Sequence, residues 1–209
     1  LNKWISTTFL RCNAKKGISA KQIEWDLGVT YKTAWYLMHR IRRAMKRSKF
    51  LQKFKGIVEA DETYLGGKRI GRRGRAPGKA IVLGVLERSG KVRAELIPNV
   101  KARTVCGILR KHVHKNAKML CCDEFPSYNR LALDYNLKRI NHEIQYVRGM
   151  VHTNGIESFW AILKRGFIGT HHRMSMKYLP LYLNEFTYRF NQNGNPGVFV
   201  KVLRNGVRL

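Results

Sequence analysis

Apolar positions recur at helical spacing through the first 50 residues. Ser19, followed three positions later by Gln22, forms a capping box opening a short helix with Ile23 and Leu27 on one side, and Gly28 closes it. Thr30 caps a second helix whose apolar positions Ala34, Leu37, Ile41 and Met45 keep helical spacing, with Lys32, Thr33, Arg40 and Arg43 elsewhere on its circumference. From Phe54 the pattern changes to short β-branched runs. Residues 56–65 roughly alternate and read as a strand, and residues 80–86 and 91–97 read as a hairpin turning at Ser89-Gly90. A helix is predicted over 102–112, a strand over 118–122 ending at Asp123, a helical stretch over 126–132 and a strand over 143–147. Ile156, Phe159, Trp160, Leu163 and Phe167, then Leu179, Leu183, Phe186 and Phe190, mark helices over 156–167 and 176–191. This order predicts an α/β fold: a mixed five-stranded sheet flanked by helices over 54–209, preceded by a small all-α helix-turn-helix module over 1–50.

Charge turns this outline toward a partner. The chain has 41 Lys and Arg against 13 Asp and Glu, a net charge of +28, which a polyanion would neutralise. Double-stranded DNA is the first expectation, with a ribosomal-type structural protein or a membrane-surface binder as blander readings. In the helix-turn-helix pattern the second helix enters the major groove with its first residues at base edges, which makes Tyr31, Lys32 and Thr33 the natural candidates, with Arg40 and Arg43 as further DNA-binding candidates. An ordinary helical hairpin with solvated charges has the same pattern. Between Gly66 and Lys79 lie five glycines and six Lys or Arg, a loop whose Lys68, Arg69, Arg72, Arg73 and Arg75 could track phosphates. No apolar run reaches the roughly 18 residues of a membrane span, so no membrane partner is expected. Cys12, Cys106, Cys121 and Cys122 form no zinc-ligand spacing and read as buried thiols of a cytoplasmic, nucleoid-associated protein. The chain starts at Leu1 rather than Met, so an upstream segment is expected to be missing.

The acids are few, which makes their positions informative. Asp61 lies within the first strand, Asp123 ends a later one, and Glu157 sits in the first turn of the helix after Asn154. Gathered together they would repel one another unless a hard divalent cation such as Mg²⁺ intervened. Two such ions about 4 Å apart suit in-line attack on a phosphodiester. Each acid also has a plain alternative: Glu157 as part of a capping box with Asn154, Asp123 as a helix cap, Asp61 paired with a nearby cation. Lys164, seven residues beyond Glu157, could hold a phosphate but could equally be solvated beside Arg165. Trp160 could stack on a base or lie in the core, and His152 could touch DNA or be an ordinary loop histidine.

Three ordered motifs carry a family resemblance: Val58 to Lys68 (VEADETYLGGK), Cys122 to Tyr128 (CDEFPSY), and His152 to Trp160 (HTNGIESFW) with Leu163-Lys164-Arg165-Gly166. They resemble the DDE transposases of small prokaryotic insertion sequences, in the ISXO2-like branch, from about Phe54 to Asn191. The resemblance implies a ribonuclease-H-like catalytic domain with two Mg²⁺ or Mn²⁺ ions held by Asp61, Asp123 and Glu157, and Lys164 as the accompanying basic residue. It further implies cleavage at the element's terminal repeats and transfer of the freed 3′-hydroxyl to target DNA, compatible with a homodimer in a synaptic complex. Relatives generally carry a zinc-ribbon-like segment before the helix-turn-helix, and no such ligands occur here. A non-enzymatic DNA binder, such as a regulator or decayed transposase, and a nuclease or resolvase that cleaves without joining are the alternatives.

Overall fold

The computed structural model describes residues 1–14, 17–46, 52–66, 79–88, 90–140, 150–171 and 174–207. The chain folds as two compact units, one formed by residues 50–161 and the other by 1–49 together with 162–209.

In the central unit the β-branched runs form strands β1 (Ile57–Leu65), β2 (Ala80–Glu87), β3 (Lys91–Ile97), β4 (Met119–Asp123) and β5 (Leu137–Ile140). Their spatial order is β3-β2-β1-β4-β5, with β2 antiparallel to β1 and β3, and with β4 parallel to β1 and β5. A mixed sheet in this order, covered by helices, is the ribonuclease-H-like arrangement. The predicted strand over 143–147 lies outside the described residues; among the described residues the last strand is the short Leu137–Ile140, whose two central side chains are exposed and gave no alternating signal.

Alternation along β1 sends Val58 and Ala60 to one face, where they pack with Leu83, Val85, Leu120 and Cys122 under helix α4 (Ala102–His112) and the 3₁₀ turns Pro126–Leu133. Glu59, Asp61 and Thr63 therefore point to the opposite face. That face is covered by α5 (Asn154–Gly166), whose Ile156 and Trp160 lie against Gly84 of β2, the residue registered with Asp61.

The other unit is helical: α1 (Asn2–Asn13), α2 (Ala20–Leu27), α3 (Tyr31–Lys46), α6 (Leu179–Asn191) and α7 (Val198–Val207). Ser19 Oγ accepts the Gln22 N–H at the start of α2, and Gly28 closes it in the left-handed conformation at φ 58°. Thr30 Oγ1 accepts the Thr33 N–H at 3.3 Å to open α3. The apolar face of α3 is shared between two clusters. Ala34 and Met38 pack with Ile23, while Ile41, Ala44 and Met45 pack with Tyr188 of α6 and Val202 of α7. The helical unit thus draws on both ends of the chain, with α6 and α7 completing the core of the N-terminal helices.

A buried ion cluster crosses this unit. Glu185 of α6, fully buried, accepts from Arg11 of α1 and, at 3.1 Å, from Arg42 Nε of α3, with Arg189 Nη1 3.6 Å away. The Arg42 guanidinium lies 3.7 Å over the Tyr182 ring. Among the described residues no helix is long and apolar enough to cross a membrane.

Candidate functional site

Parallel pairing sets the geometry. β1 and β4 register Val58 with Leu120 and Glu59 with Cys121. The pairing ends there, just short of Asp61 and Asp123, and the Asp123 carboxylate is near enough to act on Asp61. Both aspartates then point to the α5 face. Asp61 Oδ2 accepts the Trp160 indole N–H at 2.9 Å, and Oδ1 accepts the Glu62 N–H at 2.8 Å. Asp123 Oδ1 accepts the Phe125 N–H at 2.9 Å, an Asx-type turn rather than a helix cap.

Glu157 stands in the first turn of α5, three residues before Trp160 and so on the same flank. Its Oε1 accepts from Thr153 Oγ1 at 2.7 Å, and the Thr153 carbonyl accepts the Glu157 N–H at 3.0 Å. Thr153, not Asn154, is therefore the polar partner at the helix start. Sequence reasoning passed over Thr153, although its place before an apolar helical run was a readable signal.

Burial raises the Asp61 carboxyl, the Glu62 and Asp123 carboxylates raise it further, and the Trp160 and Glu62 N–H groups oppose them only in part, leaving it at about 7. Among the described residues no Lys or Arg pairs with Asp61 or Asp123. No group of three His, Cys, Asp or Glu among them is arranged to hold a metal ion as it stands. The donor chemistry nevertheless fits a hard cation: oxygen ligands only, two of them neighbouring aspartates whose mutual repulsion lacks a counter-charge.

Trp160 corrects one expectation. It is 4 % exposed and its ring packs on Gly84, where a Cβ would fall 2.5 Å from Trp160 Cζ2, so it has no free face for a base. A Gly84→Ala variant must push this ring away from Asp61. We expect a loss of about 1–3 kcal/mol of stability, as for other overpacked core sites, read by urea unfolding; an unchanged midpoint would show that the ring yields freely.

Of the remaining predicted residues, His152 is partly buried, its Nδ1 3.4 Å from Glu59 Oε1. Lys164 and Arg165 are exposed in the last turn of α5. On α3, Tyr31, Lys32, Thr33 and Arg43 are exposed and Arg40 is partly so. Tyr36 joins them: half-exposed, it accepts from Arg40 Nη1 at 3.2 Å and stands four residues after Lys32. That i, i+4 spacing was the missed signal. Lys68, Arg69, Arg72, Arg73 and Arg75 lie outside the described residues.

The sheet order and its helical cover define a ribonuclease-H-like domain, the class of fold on which DDE transposases are built. The ISXO2-like transposase domain matches residues 53–191, more than half of the chain, and the chain belongs to that family. Among solved structures it is similar to the Mos1 transposase paired-end complex with left transposon end, at 14% identity and a TM-score of 0.37, covering 97% of this chain and 78% of that chain. The Mos1 strand transfer complex is similar at 15% identity and a TM-score of 0.37, with the same 97% and 78% coverage. So is the Mos1 mariner paired-end complex with Mn, at 14% identity, a TM-score of 0.37, and 97% and 78% coverage. No curated protein matches the chain.

Proposed function

We propose that this transposase-family chain cleaves DNA at the ends of an insertion sequence and joins the freed ends to target DNA, using Asp61, Asp123 and Glu157 as its acidic set. The observation supporting this reading is that Asp61 and Asp123 stand on adjacent parallel strands, near enough for the Asp123 carboxylate to act on Asp61, with Trp160 of the helix that bears Glu157 bonded to Asp61. These residues would hold two Mg²⁺ or Mn²⁺ ions. Bound there, such ions make a hydroxide-like nucleophile available at neutral pH and steady charge on the leaving oxygen.

The chain's own side chains do the positioning. Trp160 fixes one oxygen of Asp61, and Thr153 turns the Glu157 carboxylate. Lys164, exposed on α5, would neutralise a phosphate flanking the reacting bond. Water attacks the phosphorus at the element's end and releases a 3′-hydroxyl, which then attacks a target phosphodiester. Each displacement breaks one P–O bond and forms another, so no covalent enzyme intermediate is required. Tyr31, Lys32, Thr33, Tyr36, Arg40 and Arg43 would hold double-stranded DNA, with affinity falling steeply as salt rises because condensed counterions are released on binding.

The test uses the full chain and labelled DNA carrying the terminal repeats that flank its gene. Nicks should appear with Mg²⁺, vanish with a chelator and return with Mn²⁺. Pre-cleaved ends should then join to a supercoiled target. DNA binding without any metal-dependent nicking would sink the reading, and hydrolysed ends that never join would reduce it to a nuclease.

A further inference from the structure

Glu59 lies two residues before Asp61 on the same face of β1, is fully buried, and has no part in the chemistry above. Its Oε2 accepts the Ile156 N–H at 3.0 Å, one of the first-turn amides that a helix cannot satisfy internally. Its Oε1 accepts from Arg88 Nε at 2.8 Å and lies 3.4 Å from His152 Nδ1. Arg88, the residue just after β2, donates onward to the carbonyls of Met150 at 2.8 Å and His152 at 3.0 Å. The strand carrying Asp61 is thereby tied to both the segment that enters α5 and the first turn of that helix.

Gly155 makes the close approach possible. A Cβ there would stand 2.8 Å from Glu59 Oε2 and 3.0 Å from Leu86 Cδ2. A neutral side chain can cap a helix, and a buried charge is costly, so capping alone does not call for a glutamate. What the ionised carboxylate adds is a directed pair with a forked, rigid guanidinium. The next residue after Ile156 is Glu157.

We infer that Glu59, locked by Arg88, is a positioning residue that sets where α5 begins and so where Glu157 stands relative to Asp61; the inference rests on the metal-dependent reading above. β1 carries Asp61 and its own helix anchor, so one rigid strand indexes an acid from a separate element. Outer groups that orient metal ligands typically change metal affinity or activity about 10- to 100-fold when lost.

Glu59→Gln and Gly155→Ala separate this role from mere folding. The first keeps an acceptor for Ile156 but loses the pair with Arg88; the second leaves Glu59 intact and crowds the same joint with a residue that favours helix. Mn²⁺ alone is titrated into each full-length protein, the free ion being followed by electron paramagnetic resonance at a temperature where circular dichroism shows a folded chain. Both variants should bind Mn²⁺ about 10- to 100-fold more weakly than wild type and lose kcat for end cleavage with KM for DNA unchanged. A purely structural role would lower the melting temperature and leave the Mn²⁺ affinity of the folded protein alone. Wild-type affinity in both folded variants, or in folded Gly155→Ala if Glu59→Gln does not fold, overturns the positioning role alone. Failure of the wild-type protein itself to bind Mn²⁺ overturns the metal reading, and this inference with it.

Discussion

An Asp61→Asn protein should bind terminal-repeat DNA as well as wild type or better, yet nick it at least about 10³-fold more slowly. The magnitude follows from the several kcal/mol that a divalent ion contributes to charge stabilisation, at 1.36 kcal/mol per tenfold in rate. Asparagine is nearly isosteric and keeps an amide oxygen for the Trp160 N–H, so the fold should persist. What it removes is the charge of a partly buried carboxylate near Asp123, the group proposed above to hold the metal. Losing that charge also lessens repulsion of incoming phosphates, so affinity should hold or rise. Gel-shift titration and a single-turnover nicking assay on the same preparation measure both halves, and nicking by Asp61→Asn at the wild-type rate would remove Asp61 from the site.

The second large effect is on stability and lies away from this chemistry. Glu185→Gln should destabilise the helical unit by about 3–5 kcal/mol, because breaking a buried ion cluster leaves its partners uncompensated. Arg11 and Arg42 both donate to Glu185 from fully or almost fully buried positions, and Arg189 lies beside it. Urea unfolding followed by far-ultraviolet circular dichroism reads the change. A variant within 1 kcal/mol of wild type would mean that these guanidiniums find other acceptors.

The same cluster dictates an acid limit. Burial by itself would raise the Glu185 carboxyl, but Arg11 and Arg42, helped by His171 and Arg189, hold it down at about 2, below its ordinary 4.5. A carboxyl lowered on folding contributes stability that is present in full above its unfolded value and is lost as pH falls through the folded one. Wild type should therefore lose this contribution between about pH 4.5 and 2. Glu185→Gln should not show that segment of the pH profile.

Much of this molecule was legible in its sequence where short-range rules decide. Ser19, Gly28 and Thr30 are caps in the chain and caps in the fold, since capping depends on neighbours three residues away. The strand at 57–65, the hairpin and the strand ending at Asp123 followed from alternation and turn residues. Three acids in three motifs were visible as residues, but their relation was not: the nearness of Asp61 to Asp123 depends on parallel pairing of β1 with β4, which lie far apart in the chain. Leu37 was expected in the core and is half-buried; Met38, one step around α3, is buried instead. Nothing in the sequence sets Arg42 apart from the cations around it, and only the packing of α6 with Glu185 makes it internal. Trp160 could be read either way until Gly84 supplied the space for its ring. The strand Leu137–Ile140 is too short and too exposed at its centre to leave a pattern.

The interleaving of the two compact units bears on how the chain must mature on the ribosome. Residues 50–161 emerge consecutively and can bury their own apolar surface at once. The opening helices have that option only in part: Ala34 and Met38 pack with Ile23, but the stripe of α3 formed by Ile41, Ala44 and Met45 lacks its cover until Tyr188 and Val202 have been synthesised. The sheet is thus encoded between the two stretches of chain that build the helical unit, and Arg11 and Arg42 have no buried counter-charge until Glu185 is made.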